Sequence, residues 1–269
     1  MRTGSTLIFG LFAVSEGWVS KPYTSKSHFR RFSFAPCSSL APEKVIVNID
    51  RSKHLINHNH TLVFVGSCFS ENMARLLQDL KFKVCSNPTG TLFNPINIAE
   101  LLNRIIIGDN ISSKKDIFSD HLDMNVYHSW SCGREFSGLS FAEVEANVNN
   151  KIAYARTFLK NSSFLFITLG TTTVYKKKWD GIVVSNCHKQ PQSLFLKEDL
   201  SLQTIVDSLS PALSQLREWN PNLKIVFTVS PVRHTKMGVV NNMRSKCTLI
   251  CAVHELVSVY PEFISYFPR

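Results

Sequence analysis

Leu62-Val63-Phe64-Val65-Gly66-Ser67-Cys68-Phe69-Ser70-Glu71-Asn72-Met73-Ala74-Arg75-Leu76-Leu77 reads as a buried strand, an abrupt turn and a helix. Leu62 to Val65 is a continuous run of branched and aromatic residues, the pattern of a strand covered on both faces. Gly66 breaks the run and permits a tight turn or a close backbone approach. Apolar residues then recur at helical spacing, at Phe69, Met73, Leu76, Leu77 and Leu80. Ser67 stands between the two elements. A serine there lies at the carboxyl end of a sheet, where open α/β sheets bind ligands, and the first amides of the helix point at whatever binds. Ser67 also fits a small turn residue that caps the helix. Cys68, beside Phe69, reads as a small buried hydrophobe.

The rest of the chain repeats this alternation. A short strand is expected over Phe82–Cys85, followed by a turn-rich loop, Ser86 to Pro95. Asn97 is the expected cap of a helix through Ile107. Residues 111–140 read as irregular and aromatic-rich. A long helix is expected from Phe141 to Lys160, then a buried strand from Ser163 to Leu169 that ends at Gly170-Thr171-Thr172-Thr173. Val174-Tyr175 and Ile182-Val183-Val184 flank Trp179-Asp180-Gly181 as a hairpin, with Lys176-Lys177-Lys178 as its solvated tip. Ser201 to Trp219 is amphipathic, with Pro211 expected to split it. A strand over Leu223–Val229 runs into Ser230-Pro231-Val232-Arg233-His234, and a last helix covers Asn241–Tyr260. No closing element is read after it. Alternating strands and helices imply right-handed crossovers and a mostly parallel sheet with helices on both faces.

Three buried-type strands thus end in small, polar or His-bearing segments, and in a parallel sheet those ends share one edge. A hydroxyl, backbone amides and a histidine gathered there are the minimum set for acyl transfer: nucleophile, oxyanion donors and base. Ser67 is not in a G-x-S-x-G elbow. His234 and His188 are the histidines whose loops reach that edge, and each also reads as an ordinary loop residue.

Composition excludes several classes. Of 269 residues 44% are hydrophobic and 19% charged, too apolar for a disordered chain, and the longest apolar runs are too short to span a bilayer. The seven cysteines are scattered without a C-x-x-C, so reduced thiols are expected rather than a disulfide frame. His54, His58 and His60 have no acidic or thiol neighbour, no phosphate-cradling motif occurs, and neither metal nor cofactor is expected. The net charge is +10. Residues 1–42 carry five basic residues against one acid, a net of +4, which leaves +6 on the remainder. With their frequent serines they read as a targeting leader into a plastid or mitochondrion, and Leu7 to Val14 also fits a short secretory core. No nucleic-acid module is present, and no nucleic-acid partner is expected.

The motif Gly66-Ser67-Cys68-Phe69-Ser70 resembles the one that names the GSCFA family. Asn87-Pro88-Thr89-Gly90-Thr91-Leu92-Phe93-Asn94-Pro95, His128-Ser129-Trp130, Thr168-Leu169-Gly170-Thr171 with Val174-Tyr175, Asn186-Cys187-His188-Lys189 and Thr228 to Lys236 resemble that family's further blocks, in the family's order. The resemblance implies a fold similar to SGNH (GDSL-like) hydrolases, a three-layer α/β/α sandwich with a flavodoxin-like sheet over residues 43–269. It implies Ser67 as nucleophile, with its own amide and donors at Gly90 and at Gly170 or Thr171 as the oxyanion hole, and an ester of a small molecule, glycan or lipid as substrate. SGNH enzymes place an Asp and a His in a late D-x-x-H block. None follows His234 here, so the domain is expected to be incomplete at its C-terminus, with His234 or His188 as the substitute base. The alternative is a catalytically silent domain that binds a ligand or partner through the same pocket.

Overall fold

A computed structural model describes residues 52, 54–111, 115–233 and 238–268. The chain divides into two units, Met1–Asn57 and His58–Arg269. The expected leader and the boundary at residue 42 lie outside the described residues.

The second unit is built on a five-stranded parallel sheet. Its strands are β1 (Thr61–Gly66), β2 (Lys83–Ser86), β5 (Phe164–Leu169), β9 (Lys224–Val229) and β10 (Ile264–Tyr266), in the spatial order β10-β9-β5-β1-β2. Counted within the sheet this is the doubly wound order 2-1-3-4-5, so the expected flavodoxin-like α/β sandwich is what the chain forms. Five helices serve it: α1 (Cys68–Asp79), α2 (Pro95–Ile107), α3 (Phe141–Lys160), α4 (Leu202–Trp219) and α5 (Val239–Val259). Right-handed crossovers put α1 on one face and α2 to α5 on the other.

Alternation along the strands explains the two cores. Val63, Val65, Leu165, Ile167, Leu169, Ile225 and Phe227 point to the larger layer, among Ile98, Leu102, Val148, Leu209, Leu213 and Leu249. Leu62, Phe64 and Phe166 face the opposite way, and the Phe64 and Phe166 rings stack at 4.5 Å. Met73, Ala74 and Leu77 of α1 are buried with them. Among the described residues no helix is long and apolar enough to cross a membrane.

Several elements differ from the sequence reading. Asn94, not Asn97, caps α2: its side chain accepts the Asn97 N–H, and Pro95 takes the first helical position, where no N–H is needed. Pro211 sits inside α4 without splitting it, because Ile205, Leu209, Ala212, Leu213 and Leu216 bury one continuous stripe. The stretch expected to be irregular contains the hairpin of β3 (Ile117–Ser119) and β4 (Tyr127–Ser129). The expected 174–184 hairpin forms as β6 (Thr173–Lys177) with β7 (Val183–Val184), and β8 (Phe195–Asp199) joins β6 from the other side. Lys177 is not a solvated tip. It is 1% exposed, paired with Asp180 at 2.8 Å, and its ammonium lies over the Trp130 and Trp179 rings. The last strand, β10, closes the sheet edge that the sequence left open.

Candidate active site

The first three-stranded rung below the carboxyl edge of the sheet consists of Gly66, Thr168 and Thr228, paired in register across β1, β5 and β9. The two threonine hydroxyls join with that of Ser70: Ser70 Oγ lies 2.7 Å from Thr168 Oγ1, and Thr228 Oγ1 lies 2.9 Å from the same atom. This buried chain locks α1 to the strand ends. Gly66 itself has φ +136°, and a Cβ there would stand 2.2 Å from the Thr168 carbonyl oxygen. Only glycine permits the approach.

Ser67 follows directly above the rung. It is the N-cap of α1, yet its side chain makes no capping bond. The residue is 1% exposed, and Oγ has no hydrogen-bond partner among the described residues. A capping serine would spend its oxygen on the second or third amide of the helix. This one makes no such bond. Cys68 is exposed rather than buried, because the first position of α1 faces outward. Burial pushes the thiols of Cys85 and Cys187 up to about 11 and that of Cys132 up to about 12, so none of these is a ready nucleophile.

The loop after β2 wraps Ser67. Asn87 has φ +40°, and its side-chain Oδ1 accepts the Gly66 N–H at 2.9 Å. That bond fixes the amide's orientation and leaves Asn87 Nδ2 buried without an acceptor. The Leu92 N–H donates to the Gly66 carbonyl at 2.9 Å. Gly90 has φ +91°, and Gly133 and Glu135 occupy the space its side chain would need.

The amides expected to hold an oxyanion are engaged within the protein. Ser67 N–H donates to Thr168 O at 3.2 Å, and Gly90 N–H to Asn87 O at 2.9 Å. Gly170 and Thr171 N–H both donate to Phe93 O, at 2.7 and 2.9 Å. The Cys68 amide opens α1 and has no intrahelical acceptor.

His188 is brought elsewhere. It is 4% exposed, its Nε2–H donates to Ser129 O at 2.8 Å, and its ring stacks on His128 at 4.5 Å. Burial pushes its pKa down to about 4. His128 sits between Asp120 and Ser137, with Nε2 2.8 Å from Asp120 Oδ2 and Nδ1 2.6 Å from Ser137 Oγ. The Leu122 amide, then His128, pulls the Asp120 carboxyl down to about 2. This is a Ser–His–Asp line, but Ser137 Oγ also lies 2.7 Å from Arg134 O, which takes its proton. The line pins the β3–β4 hairpin to the loop that supports Gly90. His234 lies outside the described residues.

Lysine at the edge was not foreseen. Lys246 of α5 donates its ammonium to the Gly170 carbonyl, while its neighbour Ser245 accepts the Thr172 N–H at 2.9 Å. Burial pushes the Lys246 pKa down to about 8, with Cys68 close enough to act in the opposite direction. A cleft of about 290 Å³ runs alongside α1, lined by Glu71, Arg75, Gln78, Asn87, Thr91 and Glu135. Glu71 is one turn from Ser67. Among the described residues no group of three His, Cys, Asp or Glu side chains is placed to hold a metal ion.

The sequence profile of the GSCFA family matches residues 61–269. No curated protein matches the chain. Among solved structures, an acetyl xylan esterase from the rumen bacterium Butyrivibrio proteoclasticus is similar over 79% of this chain, with 11% identity and a TM-score of 0.38. The chain spans 56% of that structure's length.

Proposed function

Because the chain belongs to the GSCFA family, and family membership leaves the chemistry to the site itself, we propose that it is a serine hydrolase or acyltransferase of SGNH type acting on an ester, with Ser67 as the nucleophile. One observation carries the reading: Ser67 Oγ is buried at the edge of the sheet, at its switch point, and neither caps its helix nor bonds any described residue. A structural serine in that place would be satisfied.

The reaction follows from the neighbours. Ser67 Oγ attacks the ester carbonyl and yields its proton to a base. The negative oxygen is met by Asn87 Nδ2 and by the Cys68 amide at the positive end of α1, donors not spent on other described groups. Collapse expels the alcohol and leaves an acyl-serine, which water or a second alcohol resolves. The cleft along α1 offers charged and amide side chains rather than an apolar wall, and this favours an acylated carbohydrate over a lipid ester.

A fluorophosphonate probe tests the reading. The chain should label, Ser67→Ala should abolish labelling, and Ser137→Ala should retain it. Absence of labelling in the full chain sinks it. One observation favours a binding module instead: the Gly90, Gly170 and Thr171 amides are all committed to backbone carbonyls. On that reading an acetylated oligosaccharide binds without turnover, and Ser67→Ala changes neither.

A further inference from the structure

We propose that the outer face of α5 binds a copper(I) ion between the thiolates of Cys247 and Cys251, with the Met243 thioether as a third soft ligand. The site is independent of the serine chemistry above. The inner face of α5 is buried through Ser245, Leu249, Ala252, Val253 and Leu256. At helical pitch Met243, Cys247 and Cys251 fall on the opposite side, each one turn beyond the last. All three are open to solvent: both cysteines are free and exposed, and Met243 is 63% exposed. Three sulfur-bearing side chains thus follow one another along a single exposed stripe.

Spacing decides what the thiol pair can do. Positions four apart on a helix hold their Cβ atoms about 5–6 Å from each other. A disulfide needs about 3.5–4.5 Å, so oxidation does not join Cys247 to Cys251 while the helix holds. An ion spans the gap, because it adds two metal–sulfur bonds of about 2.3 Å. Histidine pairs at the same spacing clamp zinc in this way. The donors then select the ion. Thiolate and thioether sulfur is soft and favours copper(I), whereas zinc takes four nitrogen or sulfur ligands and magnesium or calcium takes oxygen. Among the described residues no third His, Cys, Asp or Glu completes a metal-holding group with the pair. His254 stands three residues beyond Cys251, but its ring packs against Tyr266 at 5.1 Å. A low-coordinate sulfur site is what remains.

Binding involves no change of oxidation state. Each thiol releases its proton to solvent, two Cu–S bonds form, and copper stays at +1. The bis-thiolate complex carries one negative charge. Arg244, three residues before Cys247 on the helix, is placed to offset it.

The test adds copper(I), kept reduced with ascorbate under exclusion of oxygen, to the full chain in competition with bicinchoninate, whose coloured copper(I) complex fades as the protein takes the ion. Wild type should withhold one equivalent that Cys247→Ser and Cys251→Ser each lose, and Met243→Leu should hold it severalfold more weakly. The three side chains are exposed, so circular dichroism should show every variant folded as wild type is. Wild type that withholds no copper overturns the inference. Full retention in Cys251→Ser does so too, because the ion would then belong to other thiols. An unchanged affinity in Met243→Leu overturns the three-sulfur assignment. Zinc(II) withheld from pyridylazoresorcinol by wild type and released in Cys251→Ser overturns the choice of copper.

Discussion

His188 carries a pH liability that follows from its burial. Its pKa is about 6.5 in an unfolded chain and is pushed down to about 4 in the fold. Above pH 6.5 the ring is neutral in both states and stability does not depend on it. As pH falls from 6.5 to 4 the unfolded chain takes a proton that the folded chain refuses, so stability falls. Below 4 both states are protonated and the loss is complete. The gap corresponds to on the order of 3 kcal/mol. Urea midpoints at pH 7.5 and 4.5 should differ, and the difference should shrink in His188→Gln, which keeps an amide to donate to Ser129 O. Gly66 makes a harsher prediction. A methyl there meets the Thr168 carbonyl at 2.2 Å at a φ of +136°, and β1 and β5 cannot part without losing their register. Gly66→Ala should cost on the order of 3 kcal/mol or more, read as a lower denaturant midpoint or as failure to accumulate folded protein. The position of Ser67 at a strand-to-helix turn was legible because strand, turn and helix are all local. The place of Asn87 was not, because its bond to the Gly66 amide is created by the β1–β2 pairing.

At the level of elements, what could be read tracks burial. The central strands β1, β5 and β9 show as apolar runs, at Leu62–Val65, Phe164–Ile167 and Ile225–Phe227. In β8 Phe195 is buried and the other four residues are exposed, so no alternation betrays the strand. β3, β4 and β10 are three residues each, too short for any period to register. The start of α2 was misread for a different reason: Asn94 and Asn97 are both good caps, and only the observed bond between them separates the two. Asn94 is 6% exposed and its side chain satisfies the Asn97 amide at 3.0 Å. Asn94→Ala should therefore lower stability by about 1–2 kcal/mol in chemical denaturation. It should also slow fluorophosphonate labelling of Ser67 severalfold. Phe93, the residue before the cap, holds the Gly170 and Thr171 amides, and a frayed α2 loosens that grip.

The whole sheet gives an argument for the site that does not depend on any catalytic side chain. In the order 2-1-3-4-5 the chain leaves β1 toward β2 and later returns past it to β5, so the loops after β1 and β5 diverge to opposite faces. A crevice must open between those two strand ends, and doubly wound proteins bind ligands there. Ser67 and Gly170 are the residues that flank it. The β3–β4 hairpin and the β7-β6-β8 sheet lie outside this topology, which separates Ser67 from the other candidate serine, Ser137, on fold grounds alone. Hydrogen exchange tests this directly. A phosphonyl group on the serine should slow amide exchange in 66–70, 87–93 and 168–172, the segments that converge on the crevice, and leave 117–129 and 173–199 unchanged. Protection centred on 118–137 would instead assign the reacting hydroxyl to Ser137 and its Asp120–His128 line. The crevice would then be vacant of chemistry in spite of its topology.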